Sequence, residues 1–102
     1  MTVNLATLIS GAMAYRDWKD RKRTDAALSE RDLISDIWVA LRRDGDVQMD
    51  ETAARRELSD AMLAAGIAVY HRWKNADLSE RDLALDIWVA LKDHPRLREP
   101  TT

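Results

Sequence analysis

Hydrophobic residues recur at helical spacing along two segments of the chain, 28–41 and 78–91. The segments read LSERDLISDIWVAL and LSERDLALDIWVAL, and twelve of the fourteen positions are identical at an offset of 50. At 3.6 residues per turn, the apolar side chains of each segment lie on one continuous face, opposite a more polar one. Each segment is therefore predicted to be an amphipathic helix. The residues predicted to be buried are Leu33, Ile34, Ile37, Trp38, Ala40 and Leu41 in the first segment, and Leu83, Ala84, Ile87, Trp88, Ala90 and Leu91 in the second.

The residues upstream of these segments also match each other, at an offset of 55. The paired positions are Gly11 with Gly66, Tyr15 with Tyr70, Trp18 with Trp73 and Lys19 with Lys74. Two copies of one helical hairpin therefore make up most of the chain, at residues 2–44 and 50–94, followed by a C-terminal tail at residues 95–102. We expect an all-α single domain over residues 1–102, in which this tandem duplication of a helical hairpin forms a compact four-helix fold with pseudo-twofold symmetry.

Capping signals mark the expected helix ends. A Ser-x-x-Asp pattern begins the second helix of each copy, at Ser29 and at Ser79. These helices are expected to end near Gly45 and before Pro95, because glycine suits a left-handed cap and the residue before proline avoids helical angles. The third helix is expected to start at Asp50.

Tyrosine and tryptophan lie one turn apart on the first and third helices. At this spacing both rings share a helix face, so they are predicted to be core residues rather than a platform for a sugar or a base. Gly11 and Gly66 lie on the same faces, where a mid-helix glycine costs about 1 kcal/mol relative to alanine. Their presence in both copies indicates close approach of a neighbouring helix, and the tryptophans of the other hairpin are the expected occupants.

The first helix carries more apolar residues than the third. Leu5, Ile9 and Met13 form a second apolar flank, so that the helix is apolar over about 240° and exceeds what one four-helix layer can cover. Either the chain terminus folds back over this flank, or a second molecule covers it. The matching positions of the third helix are Asp60, Ala64 and Ala68.

A smaller surplus of apolar residues lies on the last helix. Val39 is the one apolar residue on the polar side of the second helix, and its equivalent, Val89, is joined one turn earlier by Leu85. Leu85 and Val89 therefore form an apolar patch on an otherwise polar face. The patch is either partly buried by a loop or the C-terminal tail, or is a contact site for another chain.

Composition narrows the class of protein. The chain has 102 residues, of which 46% are hydrophobic, with a net charge of −2 and no cysteine. The absence of cysteine excludes disulfides, a cysteine-based zinc site and a thiol nucleophile. No run approaches the roughly 18 apolar residues of a membrane span, and no basic region precedes the first apolar stretch, so we expect a cytoplasmic protein. The excess of arginine over lysine is typical of GC-rich genomes, such as those of some bacteria and phages.

The sequence offers little for catalysis or metal binding. Neither His71 nor His94 has a metal-ligand spacing, and the chain has no phosphate-binding glycine loop and no Ser-His-acid arrangement. Acidic residues after the second helix have the spacing of the first positions of a calcium loop, but Met49 replaces its glycine and Arg55 its bidentate glutamate. We therefore expect a charged turn, with no catalytic residue, no cofactor and no metal. The residues of this turn are Asp44, Asp46, Gln48 and Asp50.

A basic cluster suggests an alternative function. Arg21, Lys22 and Arg23 are expected in a loop after the first helix, and could contact phosphate groups of a nucleic acid. The helix-turn-helix comparison is weak, because the first halves of the second and fourth helices are acidic and would face the phosphates.

The main expectation is a non-catalytic protein-interaction protein: a small regulator, an adaptor, or a phage-type inhibitor or structural component. It would bind another protein or its own copy, most simply as a homodimer, with no membrane partner. The binding residues expected from the surplus of apolar surface are Leu5, Ile9, Met13, Leu85 and Val89.

Overall fold

The computed structural model describes residues 5–43 and 50–92, and within these residues it contains helices and turns but no strand. The helices are α1 (Leu5–Thr24), α2 (Glu30–Arg43), α3 (Glu51–Glu57), α4 (Asp60–Lys74) and α5 (Glu80–Lys92). The all-α prediction is confirmed for residues 5–43 and 50–92, which contain five helices where four were expected. The expected caps at Gly45 and Pro95, the turn residues Asp44, Asp46 and Gln48, His94 and the tail at residues 95–102 lie outside the described residues.

The additional helix arises because the expected third helix is divided at Leu58 and Ser59. Asp50 caps α3 by accepting a hydrogen bond from the Ala53 amide, at 2.8 Å. Leu58 then adopts extended backbone angles, and the Ser59 hydroxyl accepts from the Met62 amide to begin α4. A second N-cap thus interrupts a segment whose composition favours a continuous helix.

The predicted capping boxes are present at the starts of α2 and α5. In the first, the Asp32 carboxylate accepts a hydrogen bond from the Ser29 amide at 2.9 Å, while the Ser29 hydroxyl accepts from the Asp32 amide. Ser79 and Asp82 repeat this reciprocal pair. Each box satisfies amide groups that the first turn of a helix leaves without a partner.

The core lies between α2 and α5, with α1 and α4 packed against them. The predicted buried faces of α2 and α5 are buried, except that Ala90 is only half-buried. The radius of gyration, 13.2 Å, is close to that of a compact domain of this length. None of the described helices has the length and hydropathy needed to cross a bilayer.

Aromatic rings form a second part of this core. Tyr15, Trp18 and Tyr70 are buried, as predicted, whereas Trp73 is half-buried. The indole NH of Trp18 donates to the carbonyl of Ser29 at 3.0 Å, and that of Trp73 makes the same bond to Ser79. The polar edges of these rings are therefore satisfied by the turns that precede α2 and α5.

The two helical glycines permit close helix approach, but the neighbouring residues are not tryptophans. A Cβ atom on Gly11 would lie 2.8 Å from the Cβ of Ala84, and one on Gly66 would lie 2.5 Å from the Cγ2 of Ile34. The prediction of close approach is confirmed, and the predicted occupant was wrong. The atoms nearest to each glycine belong to aliphatic side chains of α2 and α5.

Candidate protein-interaction surfaces

The apolar flank predicted on α1 is exposed. Leu5, Ile9 and Met13 have 57%, 43% and 61% of their surface accessible. Spaced four residues apart, they lie one above the other on a single face and span about 12 Å along the helix axis. We call these three residues the α1 stripe. A cavity of about 300 Å³ lies beside it, between Ile9, Met13, Arg16 and the first turn of α5.

The patch predicted on α5 is also exposed. Leu85 and Val89 have 39% and 47% of their surface accessible. They border a groove of about 560 Å³ between α4 and α5, with Trp73 and Ala90 among its other lining residues. We call this the α5 groove.

Leu78 extends the α5 groove and was missed from the sequence. It lines the groove and is 48% exposed. Because Leu78 lies in the turn before α5, helical periodicity carries no information about its exposure.

The outer face of α2 is covered by α3. Val39, the equivalent of Val89, is only 6% exposed, and Ala54 of α3 is fully buried. Arg55 donates hydrogen bonds to the Ser35 hydroxyl at 2.7 Å and to the Asp36 carboxylate at 3.3 Å. α3 therefore covers the outer face of α2, and the equivalent outer face of α5 is open. The cavity between α1 and α2 that corresponds to the α5 groove, about 590 Å³, is bordered by Glu51 and Arg55 of α3 and is not filled by it.

The end of α3 adds a second set of polar contacts. The Glu57 carboxylate accepts a hydrogen bond from the Trp38 indole NH at 3.1 Å and is paired with Arg42 at 3.0 Å. Arg55 at the middle of α3 has a raised pKa, because hydrogen bonds to Glu51 and Asp36 outweigh the opposing effect of burial. Short as it is, α3 is fixed to α2 by one buried alanine and by charged side chains.

The basic cluster lies in the last turn of α1 rather than in a loop, which corrects the expectation for Arg21, Lys22 and Arg23. Arg21 is paired with Asp36 at 2.6 Å and with Asp17 at 3.2 Å. The Lys22 ammonium donates to the Leu28 carbonyl at 2.9 Å. Arg21 and Lys22 are therefore already engaged within the protein, where they hold the end of α1 and the turn that follows it.

His71, the one histidine among the described residues, has a partner within the protein. His71 is paired with Glu30 at 3.0 Å. Burial raises the pKa of both Tyr15 and Tyr70, with smaller contributions from Tyr70 and Glu80 at the first and from Glu30 at the second. Within residues 5–43 and 50–92, no three His, Cys, Asp or Glu side chains come together in a group that could hold a metal ion.

The chain matches no protein-family model, no curated protein and no solved structure. Its surfaces are thus the basis on which a function can be argued.

Proposed function

We propose that this chain is a non-catalytic protein-interaction protein that associates through the α1 stripe, in the first instance with its own copy. The observation that carries the proposal is the exposure of Leu5, Ile9 and Met13 in one line on a well-packed helix. Burying such a side chain fully stabilises a complex by about 1.5–3 kcal/mol, so three adjacent residues supply a useful driving force. A small cytoplasmic regulator, adaptor or phage-type component would act in this way.

The apolar character of the stripe is not needed to pack the hairpin. At the equivalent positions α4 has Asp60, Ala64 and Ala68, all exposed, and α4 still packs on α5. Small or charged residues at these positions are enough for α4 to pack. The large apolar residues at the equivalent positions of α1 are therefore better explained by binding to another molecule than by packing within this one. Large exposed apolar patches are typical of interaction sites.

This comparison assumes that the two halves are duplicates, and we propose the pseudo-twofold arrangement expected from the sequence. Contacts that exchange equivalent residues support it. Tyr15 packs edge-on to Trp73 and Tyr70 edge-on to Trp18, both at 77° between ring planes. The ion pairs Arg16–Glu80 and His71–Glu30 are exchanged in the same way. Equivalent residues also meet directly, since Trp38 stacks on Trp88 at 5.4 Å.

The spacing of the stripe suits a symmetric dimer. In such an interface the same patch is used by both subunits. If two α1 helices cross at Ile9, the four-residue steps on either side bring Leu5 of one copy against Met13 of the other. The stripe is therefore complementary to itself in the antiparallel orientation.

A single introduced thiol tests this dimer, because the chain has no cysteine. In the Ile9→Cys variant the two thiols would face each other at the crossing point, within the Cα separation of about 4.4–6.8 Å that a disulfide needs. Mild oxidation should convert most of the protein to a covalent dimer. The matched control is Ala64→Cys, at the equivalent exposed position of α4, which should stay monomeric. Equal cross-linking of both variants would contradict the proposed interface.

Nucleic-acid binding through Arg21, Lys22 and Arg23 remains a prediction with weaker support, because internal partners already engage Arg21 and Lys22. It requires an affinity for DNA or RNA that falls steeply with salt. The triple substitution of these residues by alanine should then abolish binding in a gel-shift assay. Salt-insensitive binding, or none, would exclude this function.

A further inference from the structure

The counterpart of the α5 groove, between α1 and α2, is a cavity of about 590 Å³ that α3 borders and does not fill. The outer face of α5 beside the groove, however, has an occupied counterpart within the same molecule, on α2. There the occupant is α3, a helix of seven residues. Ala54 of α3 is completely buried. Val39, which lies on the face of α2 that carries α3, is 6% exposed, whereas its equivalent on α5, Val89, is 47% exposed. The way α3 packs on α2 is thus an example, within the same structure, of how a short helix binds the outer face of such a helix.

The polar groups that hold α3 have equivalents around the α5 groove. Asp86 corresponds to Asp36, which receives Arg55, and Lys92 corresponds to Arg42, which pairs with Glu57. Both Asp86 and Lys92 are exposed. The full set of equivalent positions is Ser35 and Leu85, Asp36 and Asp86, Trp38 and Trp88, Val39 and Val89, and Arg42 and Lys92.

The indole NH of Trp88 differs from that of Trp38 in its hydrogen bonding. The Trp38 indole NH donates to Glu57 of α3. Within the part of the chain that the structure describes, the Trp88 indole NH has no such acceptor. An acidic residue placed as Glu57 is placed on α2 would bond both to this NH and to Lys92.

We propose that the outer face of α5, along the edge of the α5 groove, is the docking site for a short amphipathic helix of a partner protein, bound as α3 is bound to α2. This proposal deepens the proposed function and rests on it. The partner helix carries an apolar residue facing Val89, an adjacent arginine reaching Asp86, and an acidic residue two positions later facing Lys92 and Trp88. Because Leu85 replaces Ser35, the helix is more apolar than α3 at that point.

A swapped α3 from a second copy is a poorer occupant. To reach α5 of another copy, α3 would have to leave α2. Its departure would expose Val39 and Ala54 and break the Glu57 hydrogen bonds, so one face would be covered only by uncovering the equivalent one. A helix supplied by a different protein has no such cost. Charge complementarity and the α3 example therefore both favour a partner helix.

The test uses the full chain labelled with ¹⁵N and a capped peptide with the sequence of residues 50–58, DETAARREL. An isolated peptide of this length is a marginal helix, so we expect weak binding that is measured by chemical-shift titration at millimolar peptide. The indole NH signal of Trp88 should move towards that of Trp38, which is already hydrogen-bonded. The amides of Leu85 and Val89 should shift with it.

Two protein variants and one peptide variant define the site. Val89→Asp should weaken the affinity at least about tenfold, because a charge would be buried against the apolar side of the peptide. Ala64→Asp alters an exposed side chain of α4 that belongs to neither the α1 stripe nor the α5 groove, and should leave the titration unchanged. A peptide carrying Arg55→Glu and Glu57→Lys, with its charges reversed, should not bind.

Three results would overturn the proposal. The Trp88 signal could stay unmoved by peptide. Peptide binding could occur only after residues 93–102 are removed, which would make that segment of the chain the occupant. The groove signals could instead shift with protein concentration alone, which would make a second copy the occupant. None of these results affects the cross-linking of Ile9→Cys, so failure here is distinguishable from failure of the proposed function.

Discussion

At the scale of single residues, the two helical glycines determine how closely the halves of the protein approach. Gly66 faces Ile34, and Gly11 faces Ala84, at separations that leave no space for a methyl group. From the sequence one could predict that something packs against each glycine, because a glycine within a helix has a cost. The identity of the residue that packs against each glycine depends on the position and angle at which two helices cross. The residue pattern of a single helix does not give that angle.

The Gly66→Ala substitution should therefore destabilise the protein. Alanine is the better helix former by about 1 kcal/mol, but overpacking against Ile34 costs about 1–3 kcal/mol, so we expect a net loss of about 1 kcal/mol in urea unfolding. In an Ile34→Ala background the clash is removed, and the same glycine substitution should become neutral or stabilising. Equal effects in both backgrounds would show that the close contact has no energetic consequence.

The buried tyrosines should make stability depend on alkaline pH. Burial raises the pKa of Tyr15 and Tyr70 above the value of 10.0 that we take for the unfolded chain. Their contribution to stability is complete below that pH. It is lost as the pH rises through the folded-state pKa, because the unfolded chain releases its protons first. The free energy of unfolding should therefore fall above pH 10, and the variant Tyr15→Phe with Tyr70→Phe should fall less steeply than the wild type.

At the scale of elements, α3 is the part that could not be read from the sequence. The capping boxes of α2 and α5 were predictable because each places a serine and an aspartate before a periodic apolar run. The break at Leu58 and Ser59 has only part of this signal, because Asp60 follows the serine but Met62 stands where a capping box has its acidic residue. Helix-forming residues also precede and follow the break. As a result, the burial of Val39 beneath α3 was not expected, whereas for Val89 both partial burial and a contact site were left open, and it is exposed.

The attachment of α3 should depend on Ala54. This residue is fully buried, so Ala54→Asp would place an unpaired charge against α2, and we expect a loss of about 2–4 kcal/mol in urea unfolding. Hydrogen exchange of the α3 amides should accelerate at the same time. Thr52→Asp, on the exposed side of the same helix, should change stability by less than about 0.5 kcal/mol. Similar losses in both variants would mean that α3 is not held through Ala54.

At the scale of the whole molecule, we propose that a duplicated hairpin supplies the framework and that the differences between its two copies supply the candidate surfaces. The α1 stripe has no apolar counterpart on α4, and the outer face of α5 lacks the helix that covers α2. Leu5, Ile9, Met13, Leu85 and Val89 were identified as surplus because a period of 3.6 residues separates core from surface on a single helix. All five are exposed, and their role in binding remains a proposal.

The most direct test of that role is the mass of the protein in solution, measured by light scattering during size-exclusion chromatography over a range of concentrations. We predict that the wild-type chain, of 11.7 kDa, reaches twice this mass as its concentration rises. Leu5→Asp combined with Ile9→Asp should remain monomeric with unchanged helicity by circular dichroism. A wild-type chain that stays monomeric at every concentration, with the same mass as the double variant, would contradict association through the α1 stripe.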